Sequence, residues 1–245
     1  GKYDLNKTAI IMSQTGGGCR ATNYIGFIRR ALKKADMEQI PVISLNLAGI
    51  ESNPGFHLNA DLLLRAAVGA EFGDIFMRCV YRMRPYEATP GSVDALHREW
   101  LAKVQKFVSA KHISIPKFRR MCTEIIRDFD AVPVLDIKKP RVGVVGEILV
   151  KFSPAGNNHL VELLESEGAE AVVPDLLDFM LYCFYNQIYK AEHLGTSKKT
   201  AKISALGIWA IEHILRGSAV KAFEESKHFD PPTSIYKIVS YAEPI

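Results

Sequence analysis

The clearest structural signal in the chain is the stretch Thr8-Ala9-Ile10-Ile11-Met12-Ser13-Gln14-Thr15-Gly16-Gly17-Gly18-Cys19-Arg20. It begins with a short, mostly apolar run that is typical of a buried strand, and three glycines follow. Apolar residues then recur at helical spacing over 24–35, and Pro41-Val42-Ile43-Ser44-Leu45-Asn46 is predicted to be a second strand. Strand, loop, helix and strand in this order form a βαβ unit, whose right-handed crossover makes the two strands parallel.

A second unit of similar plan follows the segment bracketed by Pro133 and Pro140. Its two predicted parallel strands are Arg141-Val142-Gly143-Val144-Val145-Gly146-Glu147-Ile148 and Ala171-Val172-Val173-Pro174. Between these strands, Asn157 or Asn158 is placed to cap a helix and Gly168 is placed to end it.

Helical patterns fill most of the remaining chain. Apolar residues lie near helical spacing over 62–80, 93–107, 118–129, 176–193 and 198–225, and glycines at 69 and 73 are candidates to interrupt the first of these stretches. The last six residues, 240–245, look like the approach to another strand.

These patterns predict an α/β protein with two Rossmann-like parallel-sheet units and a helical insertion. We place the first unit, with the insertion, at residues 1–135. The second unit, with C-terminal helices, is placed at 136–245 and is expected to be incomplete, as in a piece of a longer protein.

The composition excludes several classes of protein. The 245 residues are 48% hydrophobic, which is enough for a sizeable core, and the formal charge of +4 arises from 31 basic and 27 acidic residues spread along the chain. Because no basic block is present, nucleic-acid binding is not expected. No apolar run approaches the ~18 residues of a membrane span, so no membrane contact is expected either.

The N-terminus and the cysteines indicate a cytoplasmic protein. Charged Lys2, Asp4 and Lys7 replace the apolar stretch of a secretory signal. The four cysteines, Cys19, Cys79, Cys122 and Cys183, are widely spaced and include no CxxC pair. They are therefore expected to be reduced thiols, or ligands, rather than a disulfide framework.

The glycine-rich loop is the strongest candidate for a chemical site. Gly16, Gly17 and Gly18 leave backbone N–H groups unobstructed at a helix N-terminus, where an anion can bind. Cys19 beside Arg20 is in a setting that favours the thiolate, which suits a metal ligand or a nucleophile. The alternative is a tight turn in which Cys19 only fills space, and the residues alone leave both open. The spacing matches neither GxGxxG nor GxxxxGK[ST].

Three arginines, Arg78, Arg82 and Arg84, concentrate positive charge at the end of a predicted helix. They indicate either a clamp for a phosphate or carboxylate, or cations favoured by the helix dipole alone. The other three cysteines lie on apolar helical stripes and are expected to be core residues.

Two segments carry a resemblance to a known family. They are Gln14-Thr15-Gly16-Gly17-Gly18-Cys19-Arg20-Ala21-Thr22-Asn23-Tyr24-Ile25, and Gly146-Glu147-Ile148 through Asn158 with Leu164-Glu165 and Gly168. The sequence resembles the 2-hydroxyacyl-CoA dehydratase D-component family, in particular the region of that type within large proteins described as CoA-substrate-specific enzyme activase-related or (R)-2-hydroxyglutaryl-CoA dehydratase activator-related. The likeness extends across most of the chain.

The resemblance implies a redox protein of anaerobic metabolism. Its α/β domains would hold a cysteine-ligated 4Fe-4S iron–sulfur cluster and receive an electron from an ATP-hydrolysing activase. The electron would serve to remove water from a 2-hydroxyacyl-CoA thioester or to drive another difficult reduction.

Carried over residue by residue, the resemblance makes Cys19 a cluster ligand, with Gly16, Gly17, Gly18 and Arg20 as cofactor-binding residues, and it assigns no catalytic residue. The Cys-Tyr-Pro type segment of the family and the ATPase signature of the activase are absent from this sequence. A complete cluster is therefore expected in a longer parent and not in this chain, whose status as an enzyme stays open. The alternative is a non-catalytic α/β small-ligand or protein-interaction module without a cluster.

Overall fold

The computed structural model describes residues 4–14, 19–45 and 59–242. Contacts group the chain into two compact units, Gly1–Asn59 and Ala60–Ile245. The division predicted near residue 135 falls inside the second of these units.

The first unit is the expected βαβ arrangement. Strand β1 (Ile10–Ser13) leads to a 3-10 turn (Arg20–Asn23), helix α1 (Tyr24–Lys34) and strand β2 (Val42–Leu45). The two strands are parallel, with Ile10 opposite Val42 and Ser13 opposite Leu45, as predicted. Helix α1 buries Ile25 and exposes its basic side chains, because its apolar residues recur every three or four positions.

The second unit is mainly helical. Its helices are α2 (Ala60–Met83), α3 (Ser92–Val108), α4 (Ile115–Asp130), α5 (Ile148–Phe152), α6 (Leu160–Ser166), α7 (Leu176–His193), α8 (Lys198–Trp209), α9 (Gly217–Glu224) and α10 (Ile235–Ala242); its strands are β3 (Arg141–Gly143) and β4 (Glu170–Val172). A 3-10 turn (Arg84–Tyr86) follows α2, and a π-helical segment (Ala210–Leu215) follows α8.

Helix α2 runs through the middle of the larger hydrophobic core. Its 24 residues pack against α3, α4 and α7, and Phe72 meets the rings of Phe107 and Phe118 edge to face. The helix continues through glycines 69 and 73. Each glycine costs only about 1 kcal/mol of helix stability relative to alanine. The free energy gained by packing the apolar face of α2 outweighs that cost.

Strands β3 and β4 are parallel, as predicted, with Val142 opposite Ala171. Strand β3 is shorter than predicted: it ends at Gly143, and Ile148, predicted as its last residue, is the first residue of α5. A small second core of Val144, Val161, Ala171 and Val173 lies under them, and Met77 of α2 packs against it. The N-cap residue of α6 is His159, one position after the predicted Asn158. Asn157 still contributes at this end of the helix, since its side-chain oxygen accepts a hydrogen bond from Leu160 N–H at 3.2 Å. Gly168 ends the helix with a positive φ of 85°.

The expectation of a strand near the chain end is wrong for its described part. Residues up to Ala242 belong to α10, and 243–245 lie outside the described residues. Ile235 and Val239, one helical turn apart, pack against the larger core, and Tyr236 meets the ring of Tyr185 edge to face. Packing of this apolar face stabilises a helix. The last six residues considered alone did not show that such a face was present.

An α/β class with two parallel strand pairs is confirmed, although helices dominate it. No helix in the described ranges combines the length and apolar character needed to cross a membrane.

Candidate functional site

Cys19 lies where strand β1 gives way to helix, in the first unit. It is the N-cap residue of the 3-10 turn Arg20–Asn23, which continues directly into α1, and its side chain is partly exposed. Arg20 follows it on the surface. Gly16, Gly17 and Gly18 lie outside the described residues. The position of Cys19 suits a ligand or nucleophile, since it is neither in the interior of a helix nor in a sealed core.

Gln14 fixes the end of β1 against this turn. Its backbone N–H donates to Leu45 O at 3.0 Å, and its buried side chain donates from Nε2 to Thr22 O at 3.0 Å. Its Oε1 accepts a 2.7 Å hydrogen bond from the Ser44 hydroxyl. One side chain therefore ties both strands to the turn that presents Cys19.

The other cysteines differ from Cys19 in position. Cys79 and Cys122 lie inside α2 and α4 and are fully buried, and Cys183 lies partly buried within α7. Burial raises the pKa of the Cys79 and Cys122 thiols well above the usual range. Both are thus protonated core residues, as expected from their apolar stripes.

The described residues do not fit a complete iron–sulfur cluster. Such a cluster is normally held by about four cysteine thiolates. Within the described ranges, no group of three His, Cys, Asp or Glu side chains is arranged to hold a metal ion. Cys19 offers one thiolate, so we assign no reaction step through a cluster to the residues described.

The three arginines at the end of α2 bind carboxylates of their own chain. Arg78 Nε lies 2.9 Å from the Asp175 carboxylate, Arg82 contacts Glu170, and Arg84 Nε donates to Glu165 at 2.8 Å. They act as carboxylate clamps, with partners from the start of β4, the end of α6 and the residue before α7. Arg78 and Arg82 therefore connect α2 to Asp175 and Glu170 at the two ends of β4, and Arg84 connects the 3-10 turn after α2 to α6.

Arg216 is the centre of a buried ion network in the second unit. Its side chain is 3% exposed and contacts four carboxylates: Glu71, Asp74, Asp175 and Asp178. The contacts to Asp175 and Asp178 are hydrogen bonds of 2.9 and 2.6 Å. The preceding π-helical segment sets its position, since Arg216 N–H donates to Ile211 O, five residues earlier, at 2.9 Å.

Asp74 connects this network to the N-terminus of α7. Its two carboxylate oxygens accept backbone N–H bonds from Leu176 and Leu177 at 2.8 and 2.9 Å. These donors would otherwise lack partners in the first turn of the helix. The residue thus caps a helix that is remote in sequence, and burial still raises its pKa.

Glu71 is the least satisfied member of the network. It is 2% exposed, its Oε2 receives no hydrogen bond from any described residue, and Arg216 Nε lies 3.6 Å away. Burial raises the pKa of Glu71 to about 8, against the opposing effect of Arg216. The carboxyl can therefore hold a proton at neutral pH, a property that occurs at functional sites and in structural ion networks alike.

The sequence contained a signal for this network that our reading missed. Glu71, Asp74 and Arg78 interrupt an otherwise apolar stripe of α2 at spacings of three and four residues, which places them on one buried face. Charges on a buried face require partners. Those partners, Asp175 and Arg216, are far away in sequence.

No protein-family model, curated protein or solved structure matches this chain. The likeness to the dehydratase D-component family stays a prediction.

Proposed function

We propose that this chain is the D-component-like part of an iron–sulfur redox protein, and that Cys19 supplies one ligand to the cluster. The position of Cys19 carries the proposal: it is the one cysteine of the four that lies outside a helix interior, at the turn that follows a parallel strand. Ligands and cofactors of α/β proteins bind at the carboxyl ends of parallel strands, where this turn lies.

The surrounding residues support this role for Cys19. Gln14 ties the turn to β1 and β2 through hydrogen bonds to Thr22 O and from the Ser44 hydroxyl, and Arg20 follows Cys19 directly in the sequence. In this proposal Gly16, Gly17 and Gly18 contribute backbone N–H groups to the same cofactor site. The proposal also takes the two α/β units to be Rossmann-like.

The remaining ligands come from outside the described residues, since the other cysteines lie in helices. The electron comes from an ATP-dependent activase in the cytoplasm. The substrate is a CoA thioester, with loss of water from a 2-hydroxyacyl-CoA as the reaction to test, or a similarly hard-to-reduce compound.

The experiment is anaerobic purification of the natural polypeptide that contains this sequence, followed by iron and acid-labile sulfide analysis. Cys19→Ser is expected to lose most of the iron and the absorption of the cluster. Cys183→Ser is the matched control, since Cys183 is also partly exposed but belongs to α7, and it should keep both.

Full iron content in Cys19→Ser contradicts a ligand role for Cys19. A natural polypeptide without iron or sulfide, isolated without oxygen, contradicts the cluster altogether. That result favours the alternative of a small-ligand or protein-interaction module.

A further inference from the structure

A basic cleft lies on the second unit, beside the start of β3. Its cavity volume is about 480 Å³, and among its lining residues are Arg82, Tyr86, Leu135, Lys138, Lys139 and Arg141. Concave sites for small molecules have volumes of roughly 300–1,000 Å³. The basic cleft is therefore large enough for a nucleotide-sized ligand.

The walls of the cleft are fixed by backbone hydrogen bonds. Leu135 N–H donates to Tyr86 O at 2.8 Å, and Ala88 N–H donates to Pro133 O at 2.9 Å. Glu87 and Val134 form an antiparallel bridge between the same two segments. The segment that carries the two lysines is thus held against the 3-10 turn after α2, and the cleft exists before any ligand binds.

The two arginines of the cleft are oriented by one buried carboxylate. Glu170 is 2% exposed; its Oε1 accepts from Arg141 Nε at 3.0 Å, and its Oε2 binds both Arg82 and the Tyr86 hydroxyl. Arg141 Nη1 lies 3.6 Å from the exposed carboxylate of Asp230, and the side chain of Arg141 as a whole stays 53% exposed. A guanidinium held in this way is a preorganised donor for phosphate oxygens.

The cleft has excess positive charge. Lys138 and Lys139 make no ion pair with any described residue, and they add to the arginines that share Glu170. The lining contains one acid, Asp136, and the carboxylates paired with the arginines are Glu170 and, at 3.6 Å from Arg141, Asp230, so the four cations still outnumber the three acids. An anionic ligand is therefore favoured.

The cleft also has an apolar side. Leu135 and Ile137 are about half exposed next to these cations, and the ring of Tyr86 lies on the same lining. Exposed aliphatic side chains gain free energy when a flat apolar group covers them. The combination suits a ligand with both a planar ring system and phosphate groups.

We propose that the basic cleft binds a nucleotide: its di- or polyphosphate contacts Lys138, Lys139 and Arg141, and its base covers Leu135. This inference goes beyond the proposed redox function and does not involve Cys19. Either of the two proposals can therefore fail while the other holds.

Calorimetric titration of the whole chain with ADP, adenosine and pyrophosphate tests the proposal. ADP should bind more tightly than either part alone. Lys138→Glu combined with Lys139→Glu should weaken ADP binding by about tenfold or more, as expected for the loss of charge-assisted contacts. Lys202→Glu, on the exposed surface of α8, is the matched control and should bind ADP like the unmodified chain.

A second variant tests the apolar side without altering charge. Leu135→Ser, at an exposed position that should tolerate the change, is expected to weaken ADP binding and to leave pyrophosphate binding unchanged. The absence of ADP binding at millimolar concentration overturns the proposal. The proposal is also overturned if pyrophosphate or adenosine binds as tightly as ADP. The same holds if Lys202→Glu weakens ADP binding as much as the double lysine variant does, or if the chain binds an acidic peptide more tightly than ADP.

Discussion

Arg216 Nη2 lies 2.9 Å from Oδ2 of Asp175, and both side chains are almost completely buried. Asp175 is the N-cap residue of α7, just beyond β4, whereas Arg216 stands between the π-helical segment and α9. This pair therefore joins the β3–β4 layer to the C-terminal helices. Burial raises the pKa of Asp175, while Arg78 and Arg216 oppose that shift.

Loss of the central cation should destabilise the second unit strongly. Arg216→Met leaves three buried carboxylates, Glu71, Asp74 and Asp175, and the partly buried Asp178 without their shared partner. Removing one partner of a buried ion pair costs about 3–5 kcal/mol. The measurement is the free energy of unfolding in urea. Arg127→Met, which removes an exposed 3.3 Å contact to Glu225, is the control and should cost less than about 1 kcal/mol. Equal costs for the two variants would contradict a structural role for the network.

Glu71 should make stability fall as the pH rises. Its pKa is raised on folding from 4.5 to about 8, so its contribution is fully present below about pH 4.5 and is lost as the pH rises through about 8. A shift of this size corresponds to a loss on the order of 5 kcal/mol by about pH 9.

Glu71→Gln tests whether the titration of Glu71 causes this pH dependence of stability. Glutamine resembles the protonated carboxyl and does not titrate, so the variant should match the unmodified chain near about pH 4.5 and exceed its stability near about pH 9. Glu99→Gln, on the exposed face of α3, controls for the loss of one carboxylate. A parallel pH profile for Glu71→Gln and the unmodified chain would exclude Glu71 as the source.

The local elements could be predicted from the sequence because each follows from short-range patterns. The strands at Ile10–Ser13 and Val42–Leu45, the start of α6 shortly after Asn157 and its end at Gly168 all depend on residues a few positions apart. The setting of Cys19 at the start of a helical turn was predictable for the same reason.

The ion network could not be predicted in detail, because its partners come from three separate elements. A pattern on α2 shows that Glu71 and Asp74 are buried, but only the folded chain brings Arg216 to them. The arginines at the end of α2 show the same limit. Their spacing in the sequence was compatible with a clamp that binds a ligand. In the structure they pair with carboxylates that are distant in sequence.

Gln14 should control the order of the turn that presents Cys19. Gln14→Ala removes the hydrogen bonds to Thr22 O and from the Ser44 hydroxyl, at a cost of about 1–3 kcal/mol for the two together. Amide hydrogen exchange of β1 and β2 should accelerate correspondingly, without change in the helices of the second unit. Ser13→Ala, at the exposed neighbouring position, should leave exchange unaltered. Unchanged exchange in Gln14→Ala would show that the turn is held in another way.

The isolated 245-residue chain should not retain a complete iron–sulfur cluster, even if the natural polypeptide does. A cysteine-ligated cluster needs about four converging thiolates, whereas Cys79 and Cys122 are sealed in the helical core and burial raises the pKa of both thiols. Cys183 belongs to α7, which leaves Cys19 as the ligand in a turn. After anaerobic incubation with ferrous iron and sulfide and then desalting, iron and acid-labile sulfide should stay well below one cluster per chain. Cys19→Ser should retain no more than the unmodified chain. Stoichiometric iron that disappears in Cys19→Ser would overturn this prediction and make the chain a cluster domain by itself.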